Sequence, residues 1–95
     1  MPKGYLIAHI RVRDKEAFEE FKKLSGAAIK AHNGKVLVRN PTPDHREGGA
    51  QGLAIVIEFQ SIAAARGFYE SDAYCEARAI RENISDTDLI LAEGL

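Results

Sequence analysis

From Tyr5 to Val12 two kinds of position alternate. Leu6, Ala8, Ile10 and Val12 fall on one side, and Tyr5, Ile7, His9 and Arg11 on the other. A period of two over this length predicts a strand whose faces meet different surroundings. Asp14 reads as a helix N-cap, its carboxylate placed to accept from the free amides of the first turn, where Glu16 is favoured by the helix dipole. Phe18, Phe21, Leu24, Ala28 and Ile29 then recur at three- and four-residue spacing, an apolar stripe for a helix to lay on a sheet. Asn33-Gly34 ends that helix, because both residues tolerate the left-handed conformation. Val36 to Arg39 predicts a short second strand. Asn40 to Gly52, with Pro41, Pro43, Gly48, Gly49 and Gly52, is a long irregular connection. Leu53 to Phe59 is the third strand, with Leu53, Ile55, Ile57 and Phe59 on one face and Ala54, Val56 and Glu58 on the other. Ser61 caps a second helix, and Ser71-Asp72 reads as a fresh cap inside it, so a break is expected before Tyr74 to Asn83. Asp86 to Glu93 closes the pattern as a fourth strand carrying Leu89, Ile90 and Leu91.

The order β-α-β-β-α-β is that of an α+β fold, ferredoxin-like, with a four-stranded antiparallel sheet and both helices on one face. Residues 1–95 form one domain. The first strand is central in that topology, so its face of Tyr5, Ile7, His9 and Arg11 needs an explanation. Either it stands in water, as antiparallel sheets allow, or it packs on a second copy of itself. Size argues for the second. A chain of 10.4 kDa exposes about 5,400 Å² folded against roughly 15,000 Å² unfolded, a thin core that gains from pairing.

Charge narrows the partners. Thirteen Lys and Arg against 14 Asp and Glu are interleaved along the chain, without the basic face that nucleic-acid binding calls for. No apolar run approaches the length of a membrane span, and Met1-Pro2-Lys3-Gly4 leads into a strand without the apolar core of a signal peptide. The single cysteine, Cys75, excludes an internal disulfide framework and fits a reducing compartment. A cytoplasmic protein is expected, with no nucleic-acid or membrane partner.

Gly4-Tyr5-Leu6-Ile7-Ala8-His9, Ile57-Glu58-Phe59-Gln60-Ser61, Phe68-Tyr69-Glu70-Ser71-Asp72-Ala73-Tyr74 and the closing Glu93-Gly94 resemble, in the same order, the family named domain of unknown function 1330. The resemblance covers essentially the whole chain. It implies the dimeric α+β barrel form of the ferredoxin-like fold, hence a homodimer, and it brings no reaction. Leu6 and Phe68 stand where that family often has tryptophan, Asn33-Gly34-Lys35 replaces Gly-Gly-Arg, and Asn40-Pro41 replaces glycines after Arg39. The wider superfamily includes antibiotic-biosynthesis and haem-degrading monooxygenases, muconolactone isomerases and stress-response binding modules, among which fold alone does not choose.

His9 and Glu58 are the candidate catalytic pair. Both project from neighbouring strands on the face away from the main apolar set, and a carboxylate orienting an imidazole makes a base poised near neutral pH. The plainer role is a structural hydrogen bond at a dimer seam, and a one-residue slip in register separates the two. Arg39, at the end of the second strand, is a candidate clamp for a carboxylate or enolate through its planar fork, against an exposed charge or a partner for Glu47. Tyr69 and Tyr74 flank the Ser71-Asp72 break, placed either to position a polar substrate or to serve as core rings with hydroxyls at the rim; the resemblance adds weight to the first role. Arg78 and Arg81 lie on the last helix, where a solvated or salt-bridged face is the ordinary reading, and Arg81 is kept as a further ligand contact. His9, His32 and His45 sit on separate elements, so no metal site or cofactor is called for. Gly48-Gly49-Ala50-Gln51-Gly52 lacks the context of a phosphate loop and reads as a turn, and Cys75 lacks the neighbours that activate a thiol. The expectation is a homodimer that binds a small organic ligand, with a monooxygenase or isomerase activity or as a non-catalytic metabolite- or protein-binding module.

Overall fold

The structure, a computed structural model, describes residues 2–49 and 51–95, so Met1 and the Ala50 of the glycine-rich turn lie outside the described residues. Strand β1 (Gly4–Val12) is followed by helix α1 (Lys15–Ala31), strands β2 (Lys35–Asn40) and β3 (Leu53–Phe59), helices α2 (Ile62–Tyr69) and α3 (Asp72–Ile84), and strand β4 (Ser85–Glu93). The sheet order is β2-β3-β1-β4, antiparallel throughout. This is the expected α+β, ferredoxin-like arrangement, with the second helical element broken in two.

Local chemistry sets the boundaries. The Asp14 carboxylate accepts from the amides of Glu16 and Ala17 to start α1. At its end the Gly34 amide donates to the Ile29 carbonyl at 2.8 Å while Asn33 takes a φ of 57°, the left-handed stop expected of Asn-Gly. Ser61 caps α2 by accepting from the Ala64 amide, and Ser71 caps α3 by accepting from Tyr74. The Ser71 hydroxyl also donates to the Phe68 carbonyl at 2.7 Å, so one side chain both closes α2 and opens α3.

Leu6, Ala8 and Ile10 of β1, with Ile57 and Phe59 of β3, are buried beneath Phe18, Phe21, Ala28 and Ile29 of α1 and beneath Ala65, Phe68, Tyr74 and Ala77 of α2 and α3. Phe68 is the hub of the aromatic packing, its ring centroid 5.0 Å from Phe59 and 4.6 Å from Tyr74. The alternation in β1 is realised along its length: Tyr5, Ile7, His9 and Arg11 are each only half-buried on the helix-free side. Two layers give a slab whose principal extents are 36 × 32 × 16 Å, and the accessible surface of 6079 Å² exceeds the about 5,400 Å² of a compact monomer of this mass.

One irregularity changes the faces. The β2–β3 ladder pairs Val36 with Ile57 and Val38 with Val56, and Leu37 is bulged out between them. A bulge reverses the alternation beyond it. Val38 is thereby sent to the open face, and Arg39, opposite Ile55, to the helix side.

Gly52, at the entry to β3, has a φ of +100°, and a Cβ there would overlap the Ile10 carbonyl of β1. Gly48 also has positive φ, at +84°, with open space around it. Gly52→Ala should therefore lower unfolding stability by roughly 2–4 kcal/mol and Gly48→Ala by only about 1 kcal/mol. Urea denaturation with an unchanged m-value checks both, and equal losses would mean that the contact with β1 does not constrain the loop.

Candidate functional site

The two sides of the sheet separate the candidate residues. On the open side the ladders place Val38, Val56, Ile7 and Ile90 in one row across all four strands. Ile90 is 59% exposed and Val38 39%. One flanking row contains Lys35, Glu58, Tyr5 and Ala92, and the other Asn40, Ala54, His9 and Asp88. An apolar stripe thus crosses the face between polar borders.

His9 and Glu58 lie in different borders. The register puts Glu58 opposite Tyr5 and His9 opposite Ala54, four residues apart along the ladder, or about 13 Å. The expected His9–Glu58 pair is therefore not made. The Glu58 carboxylate instead accepts from the Tyr5 hydroxyl at 3.3 Å. Partial desolvation, and then that carboxylate, push the Tyr5 phenol above its ordinary pKa. On its other side His9 faces Asp88, whose carboxylate is held by Arg11 at 3.0 Å. The His9 Nδ1 is buried without a hydrogen-bond partner among the described residues.

The helix side holds a different set. A cavity of about 30 Å³ lies between α1 and the sheet, room for one or two waters as it stands. Its walls are apolar and aromatic, including Ile10, Phe18, Phe21, Ile55, Ile57 and Phe68, and its polar lining consists of Lys22, Ser25, Arg39 and Tyr74. No described lining residue is a carboxylate. Lys22 and Arg39 also border the open depression outside, alongside Glu19 and Glu20, so they stand at the mouth. Lys22 is bound to Glu19 at 2.9 Å, whereas none of the described ion pairs includes Arg39.

Tyr74 and Ser25 are inner groups, 4% and 6% exposed. Burial pushes the Tyr74 phenol above its ordinary value, opposed by the guanidinium of Arg81 beside it. Arg81 was expected on a solvated helix face but is 5% exposed. Tyr74, Ala77 and Arg81 form the buried stripe of α3, and packing against α1 overrides the charge. Tyr69 turns outward, its hydroxyl accepting from Arg78 at 3.1 Å while Arg78 also binds Glu82 at 3.2 Å. The helix-face reading therefore suits Arg78 and not its neighbour. Lys22 and Ser25 were not singled out from the sequence, although Phe18, Lys22, Ser25 and Ile29 share one helical stripe. Among the described residues no three His, Cys, Asp or Glu side chains gather as metal ligands, and no helix is long and apolar enough to cross a membrane.

Residues 3–95 match the family described as domain of unknown function, DUF1330. The chain belongs to this family. No curated protein matches it. Solved structures similar to this DUF1330 chain include a protein of unknown function from Rhodopseudomonas palustris, 20% identical, with a TM-score of 0.78 over 99% of this chain and 83% of that one. SnoaB, a cofactor-independent oxygenase from Streptomyces nogalater, is 11% identical, with a TM-score of 0.70 over 97% and 92%. A dimeric protein of unknown function with a ferredoxin-like fold from Bacteroides fragilis is 13% identical, with a TM-score of 0.65 over 96% and 95%. At these identities the likeness establishes the fold and leaves activity to the site.

The raised pKa of Tyr74 has a consequence for stability. Its folded value lies above the ordinary 10.0, so its contribution is intact below about pH 10 and is lost as pH rises through the folded value. Tyrosinate absorbance should show late ionisation by both Tyr5 and Tyr74, and Tyr74→Phe should remove one tyrosine's share of it. If the late amplitude is undiminished in the variant, Tyr74 is not desolvated in the cavity wall.

Proposed function

We propose that this DUF1330 protein is a homodimer joined through the open sheet face, and that each subunit binds one small organic molecule between its helices and its sheet. The observation that carries the reading is the division of labour between the two faces. An apolar stripe is left exposed on one, and a cavity with aromatic walls and a few convergent donors sits beneath the other. Val38, Val56, Ile7 and Ile90 form the centre of the proposed interface, and a row crossing the sheet suits a two-fold contact in which the same patch meets itself. His9 and Glu58, on that face and apart from each other, are assigned to fixing dimer register. The dimeric B. fragilis neighbour supports this pairing at the level of the fold.

Arg39, Tyr74 and Arg81 are the proposed ligand contacts, with Tyr69 fastened to Arg78 behind them. Enzymatic chemistry of the oxygenase or isomerase kind would draw on the Tyr74 hydroxyl and Arg39 as stabilisers of a developing oxyanion, and the fold shared with SnoaB is its support. A purely binding role is the second reading. The cavity's polar lining of Lys22, Ser25, Arg39 and Tyr74 offers donors but neither imidazole nor carboxylate to take a proton. The exposed free thiol of Cys75 suits a cytoplasmic setting for either.

Ile90→Lys tests the dimer, because symmetry places the new charge twice in one interface. Sedimentation should show a wild-type dimer at micromolar concentration and a folded monomer for the variant, with stability of the isolated subunit changed by less than about 0.5 kcal/mol. A wild-type monomer would end the sheet-pairing proposal. Hits from a thermal-shift screen of small aromatic metabolites should bind the variant as well, since their site lies on the opposite side of the sheet. Loss of every hit on Ile90→Lys would move the ligand to the interface.

A further inference from the structure

His9 sits on the face without helices, half-buried in the row of Asn40, Ala54 and Asp88. Its Nδ1 is enclosed and has no hydrogen-bond partner among the described residues. Nε2, which makes no described hydrogen bond, is not enclosed and so opens on the outer side of the sheet. A neutral ring fits this placement, with its one proton on Nε2 and Nδ1 left as a bare acceptor. Protonation would put a second N–H on Nδ1, a charged donor with nothing to donate to. An unmet charged donor costs more than an unmet neutral acceptor. Nor do the surroundings offer a spare negative charge. From β3 the ring meets Ala54, and from β4 it meets Asp88, whose carboxylate Arg11 already holds at 3.0 Å. Arg11, next on the same face of β1, is itself a cation, and Asp86 opposite it is held by Arg13 at 3.0 Å. Lys35 and Glu58 lie in the other border row, where Glu58 accepts from Tyr5.

In a single subunit the open face is wet, and a protonated ring can turn its N–H groups to water. A second copy laid on this face removes that water. By two-fold symmetry it brings the same groups, in the same closed pairs, together with a second His9. We infer that the dimer interface accepts His9 only as a neutral imidazole, which makes this residue a pH sensor that releases the two subunits as the medium turns mildly acidic. The inference rests on the reading that two copies pair through this face, and it adds the regulation of that pairing. By linkage, a group that must give up its proton on assembly strengthens assembly above the pH at which it titrates when free and weakens it below. Imidazole is the side chain that ordinarily titrates between pH 5 and 8, whereas carboxylates, lysine and arginine ordinarily keep their charges across that window.

The test measures the dimer dissociation constant of the full chain by sedimentation equilibrium at about pH 7.5 and about pH 5.5, at constant ionic strength. An imidazole that ordinarily titrates near pH 6.5, admitted only when neutral, changes that constant by about tenfold over this interval, and two of them by about 100-fold. The wild-type constant should therefore rise at least about tenfold at the lower pH, with the circular dichroism of the subunit unchanged. His9→Gln and His9→Asn, neutral at both values, should each hold their constants within about twofold, and either serves if the other does not fold. The remaining histidines, His32 at the end of α1 and His45 in the β2–β3 connection, lie outside the strands of this face and stay in both variants. A wild-type dimer with the same constant at both values would keep the pairing and overturn the sensor. Tighter pairing at the lower pH would also overturn it, because Asp88 would then be sheltering a protonated His9. A monomer at both values would overturn both readings. A rise undiminished in both variants would reject His9 as the sensor.

Discussion

The constraint on which the rest depends is that a four-stranded sheet has two faces and this chain has helices for only one. The central strand β1 makes the division sharp. Leu6, Ala8 and Ile10 are sealed under α1, α2 and α3, while Tyr5, Ile7, His9 and Arg11 meet whatever lies beyond. Because side chains alternate strictly along a strand, the chain cannot bury one set without presenting the other. With 95 residues, burial of both faces within one subunit is out of reach. The apolar row from Val38 to Ile90 follows from that shortage, and so does the proposal that a second copy supplies the missing layer.

The covered face has its own economy. Phe59, Phe68 and Tyr74 pack the end of the core nearest the α2–α3 break, and the single serine at that break caps one helix while closing the other. The cavity lies between these rings and the β2–β3 edge, where the bulge at Leu37 swings Arg39 to the helix side. A backbone irregularity in an edge region therefore decides whether the exposed Arg39 guanidinium stands on the open sheet or at the mouth of the cavity. Buried Arg81 is the other departure from ordinary core composition.

Much of this was legible in the residues. Alternation in β1 and β3 assigned their faces, Asp14, Ser61 and Ser71 marked three helix starts, and Asn33-Gly34 marked a stop, because each is local chemistry that neighbouring residues dictate. Register was not legible, since pairing Gly4 with Phe59 depends on the long connection between the strands, and it is register that parts His9 from Glu58. The bulge at Leu37 carries no signal in Val36-Leu37-Val38-Arg39, so the side taken by Arg39 could not be read. Arg81 was misjudged for a different reason. Its spacing from Tyr74 and Ala77 put it on the buried stripe, but its charge argued for solvent, and tertiary packing prevailed.

The most direct test of the two-faced account is a methyl spectrum of isoleucine-labelled protein, recorded on dilution. Ile7 and Ile90 report the open face, and Ile10, Ile29, Ile55 and Ile57 line the helix side. Dilution should move the Ile7 and Ile90 signals as the dimer dissociates and leave the methyls of the helix side in place. Dilution shifts confined to the helix-side set, or none at Ile7 and Ile90, would contradict it.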